Sequence, residues 1–210
     1  MHLVLLRHAE AEGNAEGRML GRTDVPLTEQ GREDSRRLAR TLCGPAPDRW
    51  LVSPLRRARE TAAILQQEAG WGPSELILEP DLTEIDDGVL SGLTWSEAQQ
   101  RHPQLCQELI SHPLWRPIPG AETPTQLRQR ANAVWERALN APCNRLWLVS
   151  HGGFLQYLLA ALLQTPQVWG LTLPCLGRIE LEIDPHHWRC GGEDAGNPTL
   201  RRLRGIYGPA

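Results

Sequence analysis

The strongest constraint on this chain is an alternation of short apolar runs with longer amphipathic segments. Residues 2–6, 50–52, 76–78 and 145–149 form runs of strand length, and helical spacing fills the stretches between them. Thr28 is placed to cap a helix over 29–42, with Leu38 and Leu42 on one face, before Gly44-Pro45-Ala46-Pro47 breaks it. Ser53 is placed as the N-cap of a second helix, with Pro54 at its first position. That helix extends to about residue 69 and turns Ala62, Leu65 and Ala69 inward. A long helix is predicted over 125–139, a turn at 150–153 and a buried helix over 154–163. Residues 179–183 and 199–204 alternate as late strands. Strands alternating with helices predict an α/β fold: a three-layer sandwich whose central, mostly parallel sheet is flanked by helices.

Between 81 and 124 the pattern changes. Thr94-Trp95-Ser96-Glu97 carries the capping-box signature, and His102-Pro103, His112-Pro113 and the prolines at 117 and 119 punctuate short helical pieces. This predicts a small helical insertion packed over one edge of the sheet, within one domain spanning 1–210. That length suffices for a sizeable core.

Composition narrows the function classes. A net charge of -3 argues against a general nucleic-acid binder. All 22 basic residues are arginine, so any anion site must be built from guanidinium groups, whose planar fork suits phosphate. The five cysteines include no C-x-x-C pair, which argues against a disulfide framework or zinc site and fits a reducing, cytoplasmic setting. The apolar runs at 3–6 and 155–163 are too short for a signal peptide or a membrane span.

Polar residues gather where three of the strands end. The first ends in Arg7-His8, the second in Ser53 with Arg56 and Arg57 close behind, and the run at 146–149 in Ser150-His151-Gly152-Gly153. Ligand sites of open α/β sheets lie at the carboxyl ends of strands, and the helix N-termini there add positive potential. Arg7-His8 alone says little: with 22 Arg and 7 His, chance gives roughly 0.7 such dipeptides. Arg101-His102, before a proline, is the chance one. The combination, in this order and at strand ends, carries the weight.

These residues resemble the histidine phosphatase superfamily, in its cofactor-dependent phosphoglycerate mutase-like branch. The resemblance rests on Arg7-His8-Ala9-Glu10 with Asn14, on the segments 21–28 and 53–62, on Leu82-Thr83-Glu84 with Gly88 and Gly92, and on Ser150-His151-Gly152-Gly153. It implies that His8 is the phosphorylated nucleophile. Arg7, Arg57 and His151 would grip the phosphoryl oxygens, with Gly152 beside them and Asn14 against the phosphate. Glu84 would protonate the leaving group and later activate water. Arg22 and Thr23 would border the substrate. Departures are Ala9 and Ala11, where the family has Gly and Thr, and Asp87, where it has an aromatic before Gly88. The last puts the shape of the leaving-group pocket in question.

A neutral imidazole is not repelled by a phosphate dianion as an anionic nucleophile is. To stay neutral, His8 should donate from its other ring nitrogen to a backbone carbonyl, and Arg7 and Arg57 should lower its pKa. Burial near Asp86 and Asp87 should help keep Glu84 protonated. No metal or other cofactor is called for. Glu122 reads equally as a helix cap or a site residue, Trp95 and Trp115 as candidates to face substrate, the other tryptophans as scattered packing residues. His186-His187 reads as a surface turn and 201–204 as a solvated strand edge.

The expected function is a metal-independent phosphomonoesterase acting on a small phosphorylated metabolite through a phosphohistidine. The alternative is a phosphoglycerate mutase using the same intermediate. The short insertion favours hydrolysis, and the full set His8, Arg7, Arg57, Glu84 and His151 argues against an inactive binding module. Neither nucleic acid nor membrane is expected as a partner, and a homodimer is left open.

Overall fold

Leu3, Val4, Leu5 and Leu6 are all fully buried, and the strand pleat sends them alternately to two separate cores. Leu3 and Leu5 join one cluster, Val4 and Leu6 the other. A continuous apolar run is what a strand covered on both faces requires. A computed structural model of the chain describes residues 1–72, 74, 76–111, 117–140, 142–165, 171–186 and 200–208.

The strands are β1 (His2–Arg7), β2 (Arg49–Val52), β3 (Leu76–Leu78), β4 (Arg145–Ser150), β5 (Arg178–Ile183) and β6 (Leu200–Tyr207), in the order β3-β2-β4-β1-β5-β6. Four of them, β3, β2, β4 and β1, run parallel, while β5 is antiparallel to β1 and β6 to β5. The expected mostly parallel α/β sandwich is the fold. On one face lie α1 (Glu29–Thr41) and α2 (Arg56–Glu68), over Trp50, Val52, Trp147 and Val149. On the other lie α5 (Pro124–Asn140) and α6 (Gly152–Leu162), over Leu51, Leu146 and Leu148. Trp50, Trp71 and Trp147 are not scattered in space: their rings meet at centroid distances of 5.1–6.0 Å.

The insertion contains α3 (Trp95–Arg101) and α4 (Pro103–Ser111) around a small core of Leu90, Leu93, Ala98 and Cys106. The capping box at Thr94 and Glu97 is present. The insertion is clipped to the loop after β1: Met19 N–H donates to Leu93 O and Gly92 N–H to Met19 O. His112, Trp115, His187 and Cys190 lie outside the described residues. His186 is exposed, and Arg202, Leu203 and Arg204 are exposed along β6.

Two local expectations need correction. Helix α2 begins at Arg56, two residues later than expected, flanked by Leu55 without a side-chain cap. Ser53 Oγ accepts from Leu55 N–H at 3.3 Å and also binds His151 at 2.7 Å. Gly152 and Gly153 form the first turn of α6 rather than a turn before it.

Thr28 does cap α1, accepting from Gly31 N–H at 3.0 Å. Gly31 lies so close to Glu10 that a Cβ there would overlap the Glu10 carbonyl. The loop carrying the nucleophile candidate is thus seated directly on α1. Gly31→Ala is expected to destabilise the protein by about 2 kcal/mol in urea unfolding, since backbone has to move. An unchanged midpoint would show that the loop yields freely.

Candidate active site

His8 is the first residue beyond β1, and its backbone is fixed on both sides. Its N–H donates to Ser150 O at 3.0 Å, and its carbonyl accepts from Leu176 N–H at 3.2 Å. The side chain is only 3% exposed. Nδ1 lies 2.6 Å from Ala9 O. A carbonyl can only accept, so Nδ1 carries the proton and Nε2 keeps its lone pair. Burial first, then Arg57 and Arg7, hold the pKa of His8 down at about 3. The ring is neutral at physiological pH, as the sequence requires of it.

Arg57, 1% exposed, is the hub. It is the second residue of α2, and its guanidinium donates to Thr23 O at 2.6 Å and Gly21 O at 2.8 Å. Its Nε faces His8 Nε2 at 3.3 Å and His151 Nδ1 at 3.2 Å. Because Arg Nε only donates, His151 accepts at Nδ1 and donates from Nε2 to Ser53 Oγ, 2.7 Å away. His151 is fully buried, and burial, then His8 and the arginines, drive its pKa well down. The two imidazoles stand 5.0 Å apart between centroids.

Arg7 donates to Leu173 O at 2.6 Å, while its Nε is buried with no hydrogen-bond partner. A buried donor left unpaired is costly and suits an incoming anion. Gly152 gives that guanidinium room: a Cβ there would lie 3.2 Å from it. Glu84 reaches the start of α6, where Gly153 N–H and Phe154 N–H donate to its oxygens at 3.1 and 2.8 Å, and Ile85 N–H does so at 2.9 Å. A carboxylate at a helix N-terminus is stabilised by free N–H groups and the helix dipole.

Arg7, His8, Asn14, Arg57 and Glu84 line one cavity of about 170 Å³. Asn14 also pins its own loop, its Oδ1 accepting from Ala11 N–H at 2.9 Å. Thr23 and Arg22 are placed differently from the rest. Thr23 supplies its carbonyl to Arg57, and Arg22 pairs with Glu122 at 3.0 Å and reaches Glu84 O at 3.4 Å. Neither they nor Trp95, which is exposed, line the cavity. A wider hollow of about 840 Å³ lies at the opposite ends of the strands; its lining among the described residues includes Asp48, Glu182 and Asp184 but no arginine, which does not suit phosphate.

Several supporting residues escaped the sequence reading. Thr61 donates to Arg57 O at 2.7 Å and accepts from Ala9 N–H at 3.0 Å, tying α2 to the end of β1. Ser150 Oγ donates to Leu82 O. Arg130 holds the Glu84 segment, donating to Asp81 O and Thr83 O, pairing with Glu122 at 2.7 Å and lying over the Phe154 ring. Glu122 is thus a brace of this loop: it also accepts from Asp86 N–H. Thr61 stands in the sequence only as one residue of the segment 53–62, and nothing marks Arg130, whose contacts to Asp81 and Thr83 span long separations. The carboxyl whose pKa is driven upward, to about 7, is Asp87, by burial and then by the charges of Glu84 and Asp86.

Parallel strands that deliver a neutral histidine and two guanidinium groups to one cavity, with a second neutral histidine, His151, buried behind Arg57 and outside the cavity lining, are the frame of an enzyme for phosphoryl groups. Comparison with known proteins agrees. The model of the histidine phosphatase superfamily (branch 1) matches residues 3–192. A probable phosphoglycerate mutase of Photorhabdus laumondii is 32% identical over 207 residues, 95% of this chain and 94% of that one. A 2,3-bisphosphoglycerate-dependent phosphoglycerate mutase of Parvibaculum lavamentivorans is 31% identical, over 87% and 90% of the chains. The solved mycobacterial glucosyl-3-phosphoglycerate phosphatase superposes with a TM-score of 0.76 at 26% identity, covering 100% of this chain and 99% of that one. The chain belongs to the histidine phosphatase superfamily, and by family it is a phosphatase.

Proposed function

We propose that the protein hydrolyses the phosphate monoester of a small metabolite through a phosphohistidine at His8, without a metal ion. The observation that carries this is the His8 tautomer: Nδ1–H is committed to Ala9 O, so Nε2 presents its lone pair beside Arg57. Nε2 attacks phosphorus and the ester P–O bond breaks. Arg7 and Arg57 offset the charge on the transferring oxygens, and His151, oriented by Ser53, holds Arg57 by accepting from its Nε. Glu84 gives its proton to the departing oxygen, and the carboxylate it leaves is received by Ile85, Gly153 and Phe154 N–H. In the second half, Glu84 takes a proton from water as water attacks phosphorus; the P–N bond breaks and phosphate leaves.

The cavity supports a small substrate. Its volume is about 170 Å³, against about 840 Å³ for the hollow at the other ends of the strands. The mutase alternative keeps the same first half but returns the phosphoryl group to an organic acceptor. A panel of phosphomonoesters, with inorganic phosphate as the readout, tests the proposal: release is expected with chelator present. A second reaction supplies 3-phosphoglycerate and a bisphosphoglycerate primer. Rapid 2-phosphoglycerate formation there, faster than phosphate release, would replace hydrolysis by the mutase reading.

A further inference from the structure

The cavity has two chemically unlike ends. Arg7, His8, Asn14 and Arg57 form the phosphate end. The same lining includes Glu84 and Asp87, with Arg18, Met19 and Ile85. The arginines near the acidic end are already paired. Arg18 binds Glu16 and Glu97 at 2.6 and 2.8 Å and also donates to Gly92 O. Arg22 binds Glu122. Among the described residues, the acidic end therefore offers no unpaired cation to a carboxylate on the substrate.

Asp87 is held in place with unusual care. Its backbone pairs with Ala121 in an isolated bridge. Gly88 follows at a φ of 56°, so close to the backbone of Pro119, Gly120 and Ala121 that no Cβ would fit. Gly21 N–H donates to the Asp87 carboxyl, while Gly21 O accepts from Arg57. The residue is thus linked through one glycine to the hub of the phosphate end. Burial and the neighbouring Glu84 and Asp86 charges keep its pKa near 7, so around neutral pH it can donate a hydrogen bond as well as accept one.

We propose that Asp87 is a specificity-determining residue that selects phosphate esters of uncharged, hydroxyl-bearing alcohols, the polyol and sugar monophosphates, over esters whose leaving group carries a carboxylate. The inference rests on the phosphomonoesterase reading. A neutral hydroxyl can exchange hydrogen bonds with Asp87 in either protonation state. A substrate carboxylate would instead meet two carboxyl groups in a partly desolvated space, with no unpaired cation among the described residues of that end to offset it.

The test measures kcat/KM for glycerol 2-phosphate, 3-phosphoglycerate and phenyl phosphate with the wild type, Asp87→Asn and Asp87→Phe. The wild type is expected to prefer glycerol 2-phosphate over 3-phosphoglycerate, and Asp87→Asn to shrink that ratio about tenfold, because the amide keeps the shape and removes the charge. Asp87→Phe is expected to shift preference toward phenyl phosphate. If both variants keep the wild-type ratios within about twofold, or lose all three substrates in parallel, Asp87 only holds the loop and the proposal falls. If the wild type releases phosphate from none of the three and takes up no label, the phosphomonoesterase reading itself fails, and this inference with it.

Discussion

His8→Ala is expected to lower kcat/KM by about ten-thousand-fold or more and to abolish labelling of the protein by a substrate carrying radioactive phosphate. No other ring nitrogen in the described site can stand in. His151 is fully buried and does not line the cavity, with Nδ1 accepting from Arg57 and Nε2 bound to Ser53. The label must be trapped under alkaline quench, because phosphoramidates hydrolyse in acid. His8→Asn is a useful companion: it fills more of the buried space than alanine and still lacks the imidazole. If either variant folds, turns over near the wild-type rate and still accumulates label, the nucleophile lies elsewhere.

Arg57→Lys should be nearly as damaging, despite conserving charge. One planar guanidinium here serves two backbone carbonyls and two imidazoles. An ammonium on a flexible stem cannot reach four acceptors in fixed directions. A loss of about 100- to 1000-fold in kcat is expected, the range seen when a preorganised donor is removed from a charge-stabilising site. Stability should fall by about 2–4 kcal/mol in urea titration, because the buried carbonyl of Gly21 and the partly buried hydrogen bond to Thr23 O lose their charged partner. Wild-type kcat in a correctly folded Arg57→Lys would mean that positive charge alone suffices and that the fork has no role at the reacting phosphoryl.

Much of this architecture was legible because it is local. Strand β1 announces itself by an unbroken apolar run, and β4 by another. Thr28 and Thr94 cap their helices as their spacing dictates. The convergence of His8, Arg57 and His151 was legible for a topological reason: a parallel sheet brings the ends of β1, β2 and β4 together, and those three strands are neighbours. What escaped depends on contacts between distant loops. Ser53 looks only like an N-cap in any local window, yet besides accepting from Leu55 N–H its hydroxyl binds His151, 98 residues away. Arg130 and Glu122 lock the Glu84 loop through an ion pair that no periodicity reveals. Arg22 was expected at the substrate and is turned to Glu122 instead, because the acidic loop that claims it lies more than sixty residues further along the chain.

The seating of Glu84 on α6 has a consequence for turnover. The N-terminus of a helix is a natural perch for a phosphate ion. In this protein one of its own carboxylates already sits there, through Gly153 and Phe154 N–H. On the hydrolytic reading, inorganic phosphate is then retained by the guanidinium groups without help from that helix end. A site arranged in this way expels its product more readily than it stores it.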